Sequence, residues 1–211
     1  MGVYFLKYHD KLWSAFMEHL QIVSISMILS IFLAILLTAL IMRSRLISQI
    51  VVSIFGIIYS IPSLALFALL IPLFGLGAKT AVLVLLLYNQ FILVRNILAG
   101  FNAINPAIIE AASGMGMSAW QSFWRVKFPL ASPMMLAGIR ISIVSTIGIA
   151  TIASTINAGG LGTILFDGLR THNTEKLLWG TLLASLLAIV ANQILSQIEK
   201  KTIQKVHGEK G

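Results

Sequence analysis

The chain has 211 residues, of which 58% are hydrophobic and only 10% are charged. Soluble domains carry about 25% charged residues, so this composition excludes an ordinary soluble domain and indicates an integral membrane protein. The fifteen basic residues outnumber the seven acidic ones, for a net charge of +8. Because the basic residues flank apolar runs, we interpret them as topology anchors and contacts to membrane lipids, and we expect no nucleic-acid partner.

Five apolar runs are long enough to be transmembrane helices, so we predict an all-α membrane protein. About 20 helical residues cross the 30 Å hydrocarbon layer. We predict a membrane domain over 21–198, with spans at about 22–42, 50–74, 80–98, 133–156 and 177–198. Before it, apolar residues at three- and four-residue spacing predict an amphipathic interfacial segment over 1–20. After it, residues 199–211 are predicted to be a basic cytoplasmic tail.

Prolines and glycines interrupt this pattern at two places. Pro62 lies inside the second span, where a missing hydrogen bond predicts a kink or hinge; a tolerated membrane proline is the open alternative. Residues 157–175, between the fourth and fifth spans, are glycine-rich and then briefly apolar. We predict a loop there, and whether it re-enters the membrane stays open.

Polar side chains within and beside the spans are candidates for a solute pathway. The fourth span is unusually small and hydroxylated, which mostly favours close helix packing, with a minority of its residues lining a polar route. The candidates for the pathway are Asn89, Ser142, Thr146 and Asn157.

The distribution of basic residues predicts the orientation. Cytoplasmic segments of membrane proteins carry an excess of lysine and arginine. With the N-terminus outside and the C-terminus inside, the cytoplasmic side holds Arg43, Arg45, Arg125, Lys127, Lys200, Lys201, Lys205 and Lys210. The outer side then holds Lys7, Lys11, Lys79, Arg170 and Lys176. The segment between the third and fourth spans is therefore cytoplasmic.

This cytoplasmic loop, about 100–132, is long for a connection and should have structure of its own. Asn105 and Pro106 are typical of a helix start, and Gly114 and Gly116 are typical of its end. Ser118, with Gln121 three residues later, predicts a capping box at the start of a second short helix. We expect Pro129 to break that helix.

The spacing within this loop resembles the signature of the permease subunits of binding-protein-dependent ABC importers. Glu110-Ala111-Ala112 is followed after three residues by Gly116, and after nine more by Val126-Lys127-Phe128-Pro129. The usual ending is isoleucine, any residue, leucine, proline, so Val126 and Phe128 are conservative departures. Tyr59–Ser63, Arg95-Asn96 and Ala158–Gly162 are most similar to the glycine betaine, carnitine and choline branch of that family.

The resemblance implies a non-catalytic subunit with several partners. The partners are two cytoplasmic ABC ATPase subunits, a second permease subunit (identical or homologous) and an extracellular or lipid-anchored solute-binding protein in a bacterial plasma membrane. The chain has no Walker-type loop, so ATP and magnesium belong on the ATPase; we predict no catalytic residue, metal site or bound cofactor. The loop would couple the ATPase to the spans through Glu110, Ala111, Ala112, Gly114, Gly116, Trp120, Arg125, Phe128 and Pro129.

Other functions stay open from the sequence. A permease for an amino acid such as methionine would share the five spans and the loop. An ion or solute channel would conduct without an ATPase and leaves the glycine-hinged aromatic loop unexplained. An intramembrane enzyme lacks support, because no metalloprotease, serine-nucleophile or paired-carboxylate motif occurs within a span.

Overall fold

The computed structural model describes residues 2–207, and these residues form nine α-helices and no strand. This confirms the predicted all-α fold. The helices are α1 (Gly2–Ile41), α2 (Arg45–Ser60), α3 (Ser63–Phe74), α4 (Ala78–Asn102), α5 (Pro106–Gly114), α6 (Ala119–Ser122), α7 (Phe128–Ile152), α8 (Leu161–Arg170) and α9 (Thr174–His207).

Four stretches within the described residues are long and apolar enough to cross a membrane on their own: Leu6–Ile41, Ala78–Asn102, Ala119–Ile156 and Thr174–Val206. The pair α2 and α3 makes a fifth if the two helices form one bent span. The five predicted spans therefore correspond to α1, the α2–α3 pair, α4, α7 and α9.

Helix α4 lies at the centre of the bundle. In its apolar stretch 61% of the residues are buried, against 6% in the apolar stretch of α9. Helices α1 and α7 pack on α4 and form the core with it, where Phe67 of α3, Leu85 of α4 and Ala150 of α7 are fully or almost fully buried. The nearly unburied face of α9 is suited to contact with lipid or with another subunit.

Residues 2–20 of the predicted interfacial segment are helical and belong to the same helix as the first span. Only Tyr8 departs from helical backbone angles within α1. At 1.5 Å per residue, the 40 residues of α1 would extend about 60 Å if straight; the kink at Tyr8 shortens this, but α1 is still well over the hydrocarbon thickness in length. The first half of α1 packs on α8, with Leu12, Ala15 and His19 buried. Its position at the membrane surface stays a prediction.

The second span is broken at Pro62. Helix α2 ends at Ser60, α3 begins at Ser63, and the two helices are bent by 99°. Pro62 has extended backbone angles and directly precedes α3, so its missing N–H falls between helices, where no helical partner is lost. Tyr88 of α4 donates a hydrogen bond to the carbonyl of Ile61, which holds the break against the core. Whether the break moves as a hinge stays a prediction.

The prediction that Pro129 ends a helix is wrong. Between α6 and α7 the chain forms a π-helical turn, Phe123–Lys127, and the helical stretch runs from Ala119 to Ile156 without interruption. A proline ring clashes with the carbonyl four residues back in an α-helix. That residue is Arg125, inside the wider π turn, which leaves room for the ring. The last part of the predicted loop is thus the first turns of the fourth span.

The prediction of a loop over 157–175 is also wrong in its second part. Residues Leu161–Arg170 form α8, which packs on α1 and α9. Glycines at the start of this segment suggested a loop, but tertiary contacts stabilise a short helix directly after them. Helix α9 runs on to His207, so most of the predicted tail is helical; Lys210 lies outside the described residues.

Candidate functional site

The loop between α4 and α7 is held in shape by local capping. The side chain of Asn105 accepts a hydrogen bond from the N–H of Ala107 at 3.0 Å, and Pro106 occupies the first turn of α5. Ser118 and Gln121 cap α6 reciprocally, with the Ser118 N–H donating to Gln121 at 2.9 Å. Both starts were predicted, because capping depends on neighbours in the chain.

Helix α5 ends in a Schellman motif. The N–H of Met117 donates to the carbonyl of Ala112 at 3.1 Å, and the N–H of Gly116 donates to the carbonyl of Ser113 at 2.9 Å. Gly116 has φ +79, the left-handed region that this motif requires and that glycine adopts without strain. The chain therefore reverses sharply between α5 and α6.

An aromatic cluster fixes the second half of the loop to the bundle. The Phe123 ring stacks on Phe101 at the end of α4, with ring centroids 5.9 Å apart. Trp124 contacts Phe123, Trp120 and Phe128 at centroid distances of 5.2, 5.5 and 5.3 Å. These contacts connect α4, α6 and α7.

The outer side of the loop is strongly apolar. Met115 and Trp120 each expose 71% of their surface. The other exposed large apolar residues of the loop are Ile108, Trp124 and Phe128. Clusters of large apolar side chains at a protein surface mark interaction sites. We call this surface, Ile108–Phe128, the loop face.

Two glycines of the loop face are not required by packing within the chain. A Cβ built on Gly114 or on Gly116 meets no atom within 4 Å. At Gly116 the backbone angle explains the glycine, but Gly114 lies in α5 without a positive φ. Gly114 thus leaves the surface of α5 without a side chain at a point that no other part of the described chain approaches.

The structure brings the other predicted loop residues to the same region. Glu110 and Ala111 are exposed on α5, and Glu110 forms no hydrogen bond or ion pair within residues 2–207; Ala112 is buried beneath them. Arg125, Phe128 and Pro129 line a cavity of about 560 Å³ that α9 closes on the other side. The predicted set of coupling residues did not include Ile108, Met115 and the anchoring Phe123. An apolar residue between two glycines, as at Met115, was the available signal.

Three pathway candidates lie in the interior of the chain. Asn89, Ser142 and Thr146 are each 2% exposed or less. Thr146 donates to the Asn89 carbonyl oxygen at 3.1 Å, and the Asn89 amide donates to Ser30 Oγ at 3.3 Å. This network connects α1, α4 and α7, a geometry that favours helix packing. A role in a pathway stays a prediction.

The fourth candidate, Asn157, has a backbone role. Its φ of +59 places it at the left-handed position of another Schellman motif, in which Ala158 donates to the carbonyl of Ala153 at 3.2 Å. Asparagine is the residue most often found there after glycine, which is sufficient to explain its presence. Asn157 is exposed, whereas the other three candidates are buried, and no group of His, Asp and Glu suited to a metal ion occurs within residues 2–207.

Comparison with known proteins identifies relatives over nearly the whole chain. Residues 12–204 match the family described as "Binding-protein-dependent transport system inner membrane component". The "Glycine betaine/carnitine/choline transport system permease protein OpuCB" of Bacillus subtilis (strain 168) is 36% identical over 188 residues, 89% of this chain and 87% of that protein. The "Osmoprotectant import permease protein OsmW" of Salmonella typhimurium is 36% identical over 86% of this chain and 87% of that protein.

The fold has relatives among solved structures as well. A chain from an inward-facing structure of the MetNI methionine ABC transporter superposes with a TM-score of 0.82, covering 93% of this chain and 98% of that one. Its sequence identity is 20%, so the likeness concerns the fold alone.

Proposed function

This chain belongs to the binding-protein-dependent transport system inner membrane components, and from that premise we propose that its loop face docks on a separate cytoplasmic ATPase subunit. The chain is the permease of an ABC importer. In our proposal the ATPase supplies all catalysis and holds the ATP and magnesium, and the permease binds no cofactor. The observation that carries the proposal is Gly114, a helical glycine that no contact within the chain explains.

The composition of the loop face supports this partner. Exposed apolar side chains at Met115 and Trp120 surround small residues on α5, which allows close approach of another protein's backbone. Glu110 lies free beside them and is available for a charged contact. The aromatic cluster would then pass a displacement of the loop to α4 and α7.

We propose that two such permeases, identical or homologous, pair around the solute pathway with two ATPases. Five spans enclose little volume, so a symmetric pair supplies the second wall. Movement of the docked ATPases would rock the pair between outward-open and inward-open states, and a solute-binding protein outside the membrane would deliver the solute.

We propose a quaternary-ammonium solute such as glycine betaine, carnitine or choline. The support is that relatives with 36% identity over most of the chain are named as permeases for these solutes or for osmoprotectants. A methionine-type permease stays the alternative, but the likeness to that transporter is one of fold only. Uptake of labelled betaine against labelled methionine, in cells carrying the complete importer, decides between the two.

The proposed location is the plasma membrane of a bacterium, with the N-terminus outside and the C-terminus in the cytoplasm. The support is the excess of basic residues on the side that carries the loop face. The Met115→Cys variant should react with a membrane-impermeant thiol reagent only after the membrane is opened. Labelling of the cysteine in intact cells would show the opposite orientation.

The docking proposal is tested by co-purification with candidate ABC ATPase subunits. Gly114→Leu adds a side chain to the loop face without meeting an atom of its own chain. We expect it to lose at least tenfold in ATPase retained per permease. Gly148→Leu is the matched control, because Gly148 is also an exposed helical glycine with no atom within 4 Å of a built Cβ, but lies in the membrane part of α7.

Retention of the ATPase should be unchanged in the Gly148→Leu control. The proposal fails if the wild type retains no candidate ATPase, or if Gly114→Leu retains as much ATPase as the wild type. Transport by Gly114→Leu at the wild-type rate would also overturn it.

A further inference from the structure

A second surface of the chain carries charge that the loop face does not use. A cavity of about 840 Å³ lies between the end of α1, the start of α2 and the second half of α4. Three arginines line it: Arg43 and Arg45 on either side of the α1–α2 turn, and Arg95 on α4. The cavity lies at the end of the bundle where α4 leads into the loop.

The positive charge of this cavity is uncompensated. No aspartate or glutamate lines it, and within residues 2–207 none of the three arginines forms an ion pair with a carboxylate. Arg95 lies over the ring of Phe91, with the guanidinium carbon 5.7 Å from the ring centroid, which directs it along an apolar surface. Ser48, Gln49 and Asn102 add neutral polar groups to the lining. A site of this kind binds an anion, and guanidinium groups match a phosphate in geometry.

An apolar cavity adjoins the basic one. It has a volume of about 400 Å³ and is lined almost entirely by apolar side chains, among them Ile35, Ala39, Ile97 and Phe101. Met42 lines both cavities. A ligand that occupies the pair therefore needs an anionic head and an apolar chain.

We propose that the two cavities together bind one anionic phospholipid, with its phosphate against Arg43, Arg45 and Arg95 and an acyl chain in the apolar cavity. Basic pockets between transmembrane helices at the cytoplasmic surface bind anionic headgroups. A soluble phosphate would fill only the basic cavity. The basic cavity shares no residue with the loop face, whereas Trp124 and Phe128 of that face also line the apolar cavity. Bound lipid and retained ATPase are measured separately, so the failure of one proposal is distinguishable from the failure of the other.

The test measures the lipid that stays bound to the purified full-length chain. The chain is extracted in detergent with equal phosphatidylglycerol and phosphatidylcholine, and bound lipid is counted by native mass spectrometry. We expect the wild type to retain phosphatidylglycerol in preference. Each basic residue near an anionic lipid contributes about fivefold in affinity, so the triple change Arg43→Gln, Arg45→Gln, Arg95→Gln should weaken binding on the order of 100-fold.

Two further variants distinguish the effect of charge from that of misfolding, and the role of the acyl chain from that of the headgroup. The triple change to lysine keeps the charge and should retain a preference for phosphatidylglycerol, even if the glutamine variant fails to fold. Ala39→Phe fills the apolar cavity and should weaken binding of the lipid. Binding of glycerol 3-phosphate, which has a phosphate but no acyl chain, should be unchanged. The matched control removes three charges on the same side of the membrane: Lys200→Gln, Lys201→Gln and Lys205→Gln should keep the lipid.

Three results would overturn the proposal. The first is equal retention of phosphatidylglycerol by the wild type and the glutamine variant. The second is displacement of the lipid by millimolar inorganic phosphate, which would make the site one for soluble anions. The third is loss of dimer in the glutamine variant with its lipid count unchanged, which would assign the cavity to a second copy of the chain.

Discussion

Two short helical connections join the long helices of this bundle, and they differ in how tightly they pack on the rest of the chain. The first contains α5 and α6 and lies between α4 and α7; the second contains α8 and lies between α7 and α9. Both contain glycines and a Schellman turn. Only the second is packed tightly into its own chain.

The glycines show the difference most directly. A Cβ on Gly162 of α8 would lie 1.9 Å from the carbonyl oxygen of Thr151, and one on Gly168 would lie 2.8 Å from the Leu177 nitrogen. A Cβ on Gly114 would meet nothing. Glycine in α8 therefore serves packing within the chain. In α5 no contact within the described chain requires the glycine, as expected if a partner docks on the loop face.

The largest expected effect is at the tightest contact. Gly162→Ala places its methyl group against backbone, which cannot move away without displacing α8 from α7. We expect a loss of about 3 kcal/mol in the free energy of unfolding, at the upper end of overpacking effects. Thermal unfolding in detergent measures it, with Gly148→Ala as the control that should change stability little. Equal stability of the two variants would remove the distinction between the connections.

A smaller effect is expected where α1 holds the start of α8. The carboxylate of Glu18 accepts a hydrogen bond from the N–H of Gly160 at 3.0 Å. Glu18→Ala should cost about 1.5 kcal/mol, because the backbone donor loses a charged partner. Glu110→Ala, which removes an unpaired carboxylate from the loop face, should leave stability within about 0.5 kcal/mol. If Glu110→Ala destabilises as much as Glu18→Ala, the loop face is held by its own chain.

The charge network of α8 gives a still smaller effect that depends on pH. Hydrogen bonds from Lys176, at 2.6 Å, and from Arg170, at 2.9 Å, lower the pKa of Asp167 below its ordinary value of 3.8. A lowered pKa contributes stability that is present above pH 3.8 and is lost as pH falls through the lowered value. These side chains are partly exposed, so the contribution is about 0.5 kcal/mol.

The difference in stability between wild type and Asp167→Asn should therefore be constant at neutral pH and decrease below about pH 4. Unfolding in denaturant at several pH values measures it. A difference that grows on acidification would mean that the ion pairs do not form.

No loss of stability is expected at Gly114. Gly114→Leu meets no atom of the chain and improves helix propensity by about 0.5–1 kcal/mol, so the chain should be as stable as the wild type or slightly more so. Combined with a loss of ATPase binding, this result would place the need for glycine in the partner. A destabilised Gly114→Leu would instead show a contact within the chain.

Local features of the loop could be predicted because they depend on neighbouring residues. The cap at Asn105, the turn at Gly116 and the capping box at Ser118 need only a few residues in order. The effect of Pro129 could not be predicted, because the π-helical turn before it is set by packing of the aromatic cluster on α4. Helix α8 was not predicted for a similar reason: it is stabilised by contacts with α1 and α9, which are distant in the sequence or follow it in the chain.

The membrane class, the five spans, the caps of the loop and the family could all be inferred from the order of residues, because hydrophobic length and short-range spacing need no tertiary contacts. Folding was needed to show that Asn89, Ser142 and Thr146 are all buried, and that no atom of the described chain lies near a side chain built on Gly114. Burial and clearance depend on which helices meet, and residues 57 positions apart, such as Asn89 and Thr146, meet only after folding.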